Sequence, residues 1–248
     1  MGRAFEYRKE RKFARWGAMA KTFTKIGKEI VLSVKEGGSD PNYNPRLRAA
    51  VQNARKANMP KANVEAAIKR ATSKDVENYS EVVYEGYAPF GIAILVETTT
   101  DNPTRTVANV RSYFNKLGGS LGTSGSVDYM FVRKAIFRIK KEAVKNLEEL
   151  ELELIDFGLD EIRDEGEEVV IYANFTDFGT MQKALEEKGL EVDESALERI
   201  PTMTKKLTDE QAEGVIKLID KLEDDDDVSN VFTRWICRSN VFFLGEPV

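Results

Sequence analysis

The sequence predicts an α+β multidomain protein, with an N-terminal three-helix domain followed by two ferredoxin-like α/β domains, the third inserted in the second. Three observations carry this. Apolar residues recur at helical spacing through the first 79 residues, and the period shortens to that of strands from Glu81 onward. The strands and single helix of 80–133 are too few for a stable α/β layer until the strand, helix and strand of 202–236 are added. The predicted domains are therefore 1–79, 80–133 plus 201–248, and 134–200.

Phe13, Trp16, Ala20, Phe23, Gly27, Ile30 and Val34 lie at alternating steps of three and four, forming one stripe along about six helical turns. Gly37-Gly38 ends that helix. Asn44-Pro45 supplies a cap and an N1 proline for a second helix with Leu47, Ala50, Val51 and Ala54 inward, and the break at Asn58-Met59-Pro60 restarts a third with Val64, Ala67, Ile68 and Ala71 inward.

Strands are then expected at Glu81–Tyr84, Gly91–Glu97 and Val127–Phe131, with a helix opening at Asp101-Asn102-Pro103 and carrying Val107, Val110, Phe114 and Leu117. The next unit begins at Ala135–Ile139. It continues with a helix through Leu147, Leu150, Leu154 and Phe157, a strand at Glu168–Ala173, a helix over Asp177–Glu187 and a strand near Glu198–Pro201. Met203–Leu207, a helix over Val215, Ile216, Ile219 and Leu222, and Val228–Trp235 close the pattern.

Composition narrows function before any motif is considered. The chain has no histidine and one cysteine, Cys237. Histidine-based nucleophilic catalysis, a thiolate zinc cage and an internal disulfide are therefore ruled out. No apolar run approaches membrane-spanning length, the N-terminus lacks a secretory apolar core, and Glu6 breaks the myristoylation pattern, so a cytoplasmic protein without membrane contact is expected.

The net charge of −5 conceals a strong asymmetry. Residues 1–79 hold 18 Lys plus Arg against 8 Asp plus Glu, or +10, whereas 134–200 hold 9 against 19, or −10. Such a basic head points to a polyanionic partner, because neutralising phosphates releases condensed counterions. The candidate contacts are Arg3, Arg8, Lys9, Arg11, Lys12, Arg15, Lys21, Lys25, Lys28, Arg46, Arg48, Arg55, Lys56 and Lys61, with Arg105 one turn into the helix that opens at Asp101-Asn102-Pro103. Lys21, Lys25 and Lys28 share one helical face, and Lys69 and Arg70 extend the charge.

Three further segments invite chemistry and yield less. Gly118–Ser126 is glycine-rich but runs from helix to strand, opposite to a phosphate-binding loop, and reads as a tight connection with exposed N–H and hydroxyl groups. Asp224–Asp227 reads as a solvated acidic loop, since four consecutive carboxylates cannot converge on one ion. Glu148, Glu149, Glu151 and Glu153 sit beside leucines on a helix, without the look of a catalytic pair. The expectation is a protein with no catalytic residues, no metal site and no cofactor.

Several stretches in order resemble the YebC family: Phe23-Thr-Lys-Ile-Gly-Lys-Glu-Ile30, Gly37-Gly-Ser-Asp-Pro-Asn-Tyr-Asn-Pro-Arg-Leu-Arg48, Lys56-Ala-Asn-Met-Pro-Lys61, Tyr84-Glu-Gly-Tyr87, Thr100-Asp-Asn102 with Arg105-Thr106, and Gly118 to Phe131. The likeness spans about residues 1–235. That family includes bacterial proteins called probable transcriptional regulators and the mitochondrial translational activator of cytochrome c oxidase. The resemblance implies a helical N-terminal domain and two α/β domains, the third inserted in the second.

Many members begin Gly-His-Ser-Lys-Trp and carry a histidine before the paired glycines. This chain has Gly2-Arg-Ala-Phe-Glu-Tyr7 and Leu117, so no role of those histidines transfers. The ending Arg234–Val248 also departs from the family pattern.

The resemblance and the basic head together imply a nucleic-acid-binding regulator, first a DNA-binding transcriptional regulator. The alternative is a translation factor that relieves ribosome stalling through ribosomal RNA. A basic protein partner for the acidic domain is a further expectation.

Overall fold

The computed structural model describes residues 3–73 and 78–235, with side chains described from Met19 onward. The chain divides between residues 77 and 78 into two compact units.

In the first unit, α1 (Arg3–Gly37) receives both α2 (Pro45–Lys56) and α3 (Lys61–Ala71). A helix that packs two neighbours must be apolar over more than one stripe. Ile30, Val31, Leu32 and Val34 are accordingly all buried, where the periodicity picked out only Ile30 and Val34. Leu47, Ala50 and Ala54 of α2 and Val64, Ala67 and Ala71 of α3 are buried too. Most of these are small, so the backbones approach closely but each contact removes little apolar surface from water, at roughly 25 cal/mol per Å².

The second unit contains two four-stranded antiparallel sheets. The first is built from β1 (Ser80–Ala88), β2 (Ile92–Thr100), β3 (Ser120–Leu121) and β8 (Val228–Thr233), in the order β3-β1-β2-β8. On one face Ile92, Ile94 and Val96 meet Val110 and Phe114 of α4 (Pro103–Lys116) and Val215, Leu218 and Leu222 of α7 (Asp209–Glu223). On the other, Ala93 and Leu95 pack with Val127 and Phe131. β2 is thus covered on both faces, which is why Ile92 to Val96 is an unbroken apolar run rather than an alternating one.

The second sheet comprises β4 (Phe131–Lys140), β5 (Leu159–Asp164), β6 (Glu168–Asn174) and β7 (Val192–Pro201), ordered β5-β6-β4-β7. α5 (Leu147–Leu154) follows β4 and α6 (Phe178–Glu187) follows β6, giving the ferredoxin-like path in which β4 and β5 flank β6. Its core sets Ala135, Phe137, Ile139, Val169 and Ile171 against Leu150, Leu154, Met181 and Leu185.

This whole path lies in sequence between β3 and β8 of the first sheet, and β8 pairs with β2. Between the sheets, Arg199 of β7 donates to Glu97 of β2 at 2.8 Å and to Asp128 at 2.5 Å, with its side chain only 10% exposed.

Several expected elements differ. Val127–Phe131 is not a strand: Asp128–Met130 forms a 3-10 turn, and one continuous strand, β4, runs from Phe131 through the expected Ala135–Ile139. The turn arises because a carboxylate from β1 draws in the N–H groups of Val127 and Asp128. β5 escaped the sequence reading because acids and an arginine mask the inward-facing Leu159 and Ile162. Met203–Leu207 forms no strand, only a single bridge between Lys205 and Trp235. β7 begins at Val192, well before the expected Glu198.

Candidate nucleic-acid interface

The site is built on the short helices of the first unit. Residues 45–73 carry Arg46, Arg48, Arg55, Lys56, Lys61, Lys69 and Arg70 and a single acid, Glu65. Arg55 and Lys56 occupy the last turn of α2, and Lys69 and Arg70 that of α3. Cations there also complement the carbonyl ends of the helices, so their placement serves folding as well as surface charge. All four are exposed, as is Lys61, which opens α3 and lies 3.5 Å from Glu65.

Other candidates are held inside the fold. The Arg46 guanidinium donates to Glu29 at 2.8 Å and to Glu36 at 2.7 Å, clamping α2 to α1. Arg48 donates to the carbonyls of Pro41 at 3.0 Å and Asn42 at 2.9 Å. Lys28 is buried and Lys21 and Lys25 are half-buried, so the expected solvent-facing stripe of three lysines is corrected: the packing around α1 reaches its third member. Arg3, Arg8, Lys9, Arg11, Lys12 and Arg15 lie on α1, and their side chains fall outside the described residues.

The loop joining α1 to α2 is held tightly. Gly38 adopts φ +87, and a Cβ on Gly37 would lie 2.7 Å from the Asn44 side chain, so the paired glycines end α1 and admit that side chain. Asn44, 3% exposed, donates to the carbonyls of Ser33 at 2.7 Å and Gly38 at 2.9 Å and accepts from Leu47 N at 3.0 Å. The expected N-cap thus also fastens the preceding helix. From this loop Tyr43 projects with 85% of its surface exposed. Sequence reasoning passed over it, and the signal available was an aromatic flanked by the turn formers Asn42 and Asn44.

Arg105 lies in the second unit, at the start of α4. Its guanidinium donates to Asp101 and to Asp227, each at 2.7 Å. These carboxylates push the arginine pKa upward, and the Arg105 bond holds Asp101 below the usual carboxylate range. Asp227 also accepts from Thr106 at 2.9 Å and Thr100 at 3.2 Å, and Asn102 caps α4 by accepting from Arg105 N.

The acidic run is therefore not simply solvated. Asp227 is buried, and Asp225 accepts from Tyr113 at 2.9 Å. Burial first, then the bond to Asp225, pushes the Tyr113 hydroxyl up to about 12.

Gly118–Ser126 is organised by a residue that sequence reasoning did not single out. Glu85, 5% exposed, accepts from the backbone N–H groups of Gly125 at 2.6 Å, Val127 at 2.6 Å and Asp128 at 2.9 Å. Burial alone would raise its pKa, but the three N–H bonds and the Arg199 charge outweigh it and hold the carboxyl below its ordinary value. Gly122 N donates to the Glu85 carbonyl at 2.7 Å. Of the N–H groups expected to be exposed in this connection, those of Gly122, Gly125 and Ser126 are thus bonded within the protein. Among the described residues no group of three or more acids or cysteines could hold a metal ion.

Residues 3–74 match the sequence model described as TACO1/YebC protein N-terminal domain, and residues 79–235 match that described as TACO1/YebC second and third domain. The chain belongs to the TACO1/YebC family. Relatives named probable transcriptional regulatory protein include one from Parabacteroides distasonis, 61% identical over 94% of this chain and 96% of its own. Another, from Flavobacterium johnsoniae, is 60% identical over 94% and 98%. A solved structure, a conserved hypothetical protein from Aquifex aeolicus, aligns with a TM-score of 0.76 at 38% identity, covering 88% of this chain and 90% of that one. The Parabacteroides and Flavobacterium relatives of this TACO1/YebC member carry regulatory names. No described helix of this member is long and apolar enough to cross a membrane.

Proposed function

We propose that this protein is a cytoplasmic, non-enzymatic regulator that binds nucleic acid through its helical unit, within a chain organised as domains 1–79, 80–133 plus 201–248, and 134–200. The observation that carries the reading is the excess of bases over residues 45–73, seven against one acid, with Arg55, Lys56, Lys61, Lys69 and Arg70 exposed. A surface of that charge neutralises phosphates without reading sequence. The names of the relatives direct the first reading to DNA and transcription.

A second reading, a translation factor on ribosomal RNA, is favoured by the exposed Tyr43, since RNA offers unpaired bases to aromatic side chains. The acidic domain supports a basic protein partner: Leu152 and Ile155 are 71% and 55% exposed beside Glu148, Glu151 and Asp156.

Cross-linking in cells, followed by sequencing of the recovered nucleic acid and by ribosome sedimentation at low salt, tests the pair. Discrete promoter fragments without ribosome association support the first reading. Ribosomal RNA without enriched DNA supports the second, and recovery of neither overturns both.

A further inference from the structure

Tyr43 is the most exposed large hydrophobic residue among those described, at 85%. A lone aromatic on a protein surface is ordinary, but this one stands on backbone that is already fixed. The side chain of Asp40 accepts from Asn42 N and Nδ2, each at 2.9 Å, and the Asp40 carbonyl accepts from Tyr43 N at 3.2 Å and Asn44 N at 3.1 Å. Arg48 bonds the two carbonyls just before Tyr43, and buried Asn44 just after it ties the loop to α1. The ordering cost of the loop is therefore met in folding, and a ligand need settle only the two side-chain torsions of the tyrosine.

A ring held in water in this way suits a flat apolar partner. It belongs to the unit with the basic surface of Arg55, Lys56, Lys61, Lys69 and Arg70, and the ligand class that is both planar and polyanionic is a nucleic acid. Bases in a duplex already stack on one another, so only an unpaired base has a face free for the ring.

We infer that Tyr43 stacks on an unpaired nucleobase and gives the helical unit a preference for single-stranded or looped nucleic acid over duplex. This rests on the nucleic-acid reading above and adds to it the class of strand recognised.

The test uses the full chain and two probes: a short single-stranded oligoadenylate RNA carrying one 2-aminopurine, and the same strand in a blunt duplex. The wild-type protein is expected to bind the single strand more tightly at equal salt and to quench its 2-aminopurine. Tyr43→Ala is expected to lose about tenfold in single-strand affinity, together with the quenching, while duplex affinity stays within about twofold. Tyr43→Phe and Tyr43→Trp should keep both, since the ring and not the hydroxyl does the stacking.

Unchanged affinity and quenching in Tyr43→Ala, or equal losses on both probes, overturn the inference, while salt-dependent wild-type binding leaves the nucleic-acid reading standing. Failure of the wild-type protein to bind either probe overturns both. The side chain makes little contact with the fold, so circular dichroism of Tyr43→Ala should match wild type.

Discussion

Arg105 and Asp227, 122 positions apart, meet at 2.7 Å where α4 begins and the acidic run turns into β8. Asp227 is buried and takes its other bonds from Thr100 and Thr106, while its backbone carbonyl accepts from Thr99 N at 2.8 Å. One carboxylate thus gathers the end of β2, the start of α4 and the start of β8, and closes the first sheet around the residues that separate β3 from β8.

That convergence sets the first expectation. Asp227→Asn keeps the shape but removes the charge that three donors address, and it should cost about 2 kcal/mol in urea unfolding. Asp226→Asn, one residue away and exposed, should stay within about 0.5 kcal/mol. Equal effects from the two variants would contradict the assigned role of Asp227.

Glu85 makes an acid-sensitive contribution. Its folded pKa is lowered, so its stabilisation is complete above the unfolded value of about 4.3 and is lost as pH falls through the lower folded value. Glu85→Gln should be less stable at neutral pH by about 2 kcal/mol, because an amide accepts through one oxygen and leaves a buried N–H unpaired. Its stability should also fall less steeply with acid. Urea midpoints of the two proteins measured from about pH 6 down to pH 3 give the comparison, and parallel curves would refute the assignment.

Asn44→Ala should destabilise the helical unit by about 2 kcal/mol, since it removes an N-cap and two bonds to the end of α1 together. Hydrogen exchange of the α2 amides is the sensitive readout. Protection equal to wild type would show that the glycine turn alone holds the junction.

Charge reversal separates binding cations from structural ones. Replacing Arg55, Lys56 and Lys61 by Glu should lower stability by only about 1 kcal/mol, because Arg55 and Lys56 also complement the carbonyl end of α2, and should leave the helical unit folded. Nucleic-acid affinity should fall, and each phosphate deprived of its protein cation should lower the slope of log affinity against log salt by about 0.9 for a duplex. Arg46→Glu should instead unfold the helical unit, because it sets three carboxylates together where Glu29 and Glu36 had a partner. An unaltered salt slope in the triple variant would count against the proposed interface.

The sequence was most legible where one physical signal dominates. The Asn44 and Asn102 caps with their N1 prolines, the glycine stop at Gly38 and the strand Glu168–Ala173 lie where spacing and turn chemistry placed them. Legibility failed where local chemistry and packing disagree. β5 reads as polar because only Leu159 and Ile162 point inward, and Val127 looks like a strand residue until Glu85, 42 positions earlier, bends it into a turn.

The candidate interface divides the same way. Composition alone established a basic head, an acidic body and a chain without histidine, because counts of charge and residue type do not depend on folding. Which cations remain at the surface was decided by tertiary structure. Arg46, Arg48 and Arg105 read from the sequence much like Arg55, yet each has protein acceptors within 3.0 Å. Those acceptors come from distant residues or from loop carbonyls, and only the folded chain brings them within reach. The same holds for Tyr43, an ordinary loop residue in the sequence, which bonds from Asp40, Asn44 and Arg48 set on a fixed support facing water.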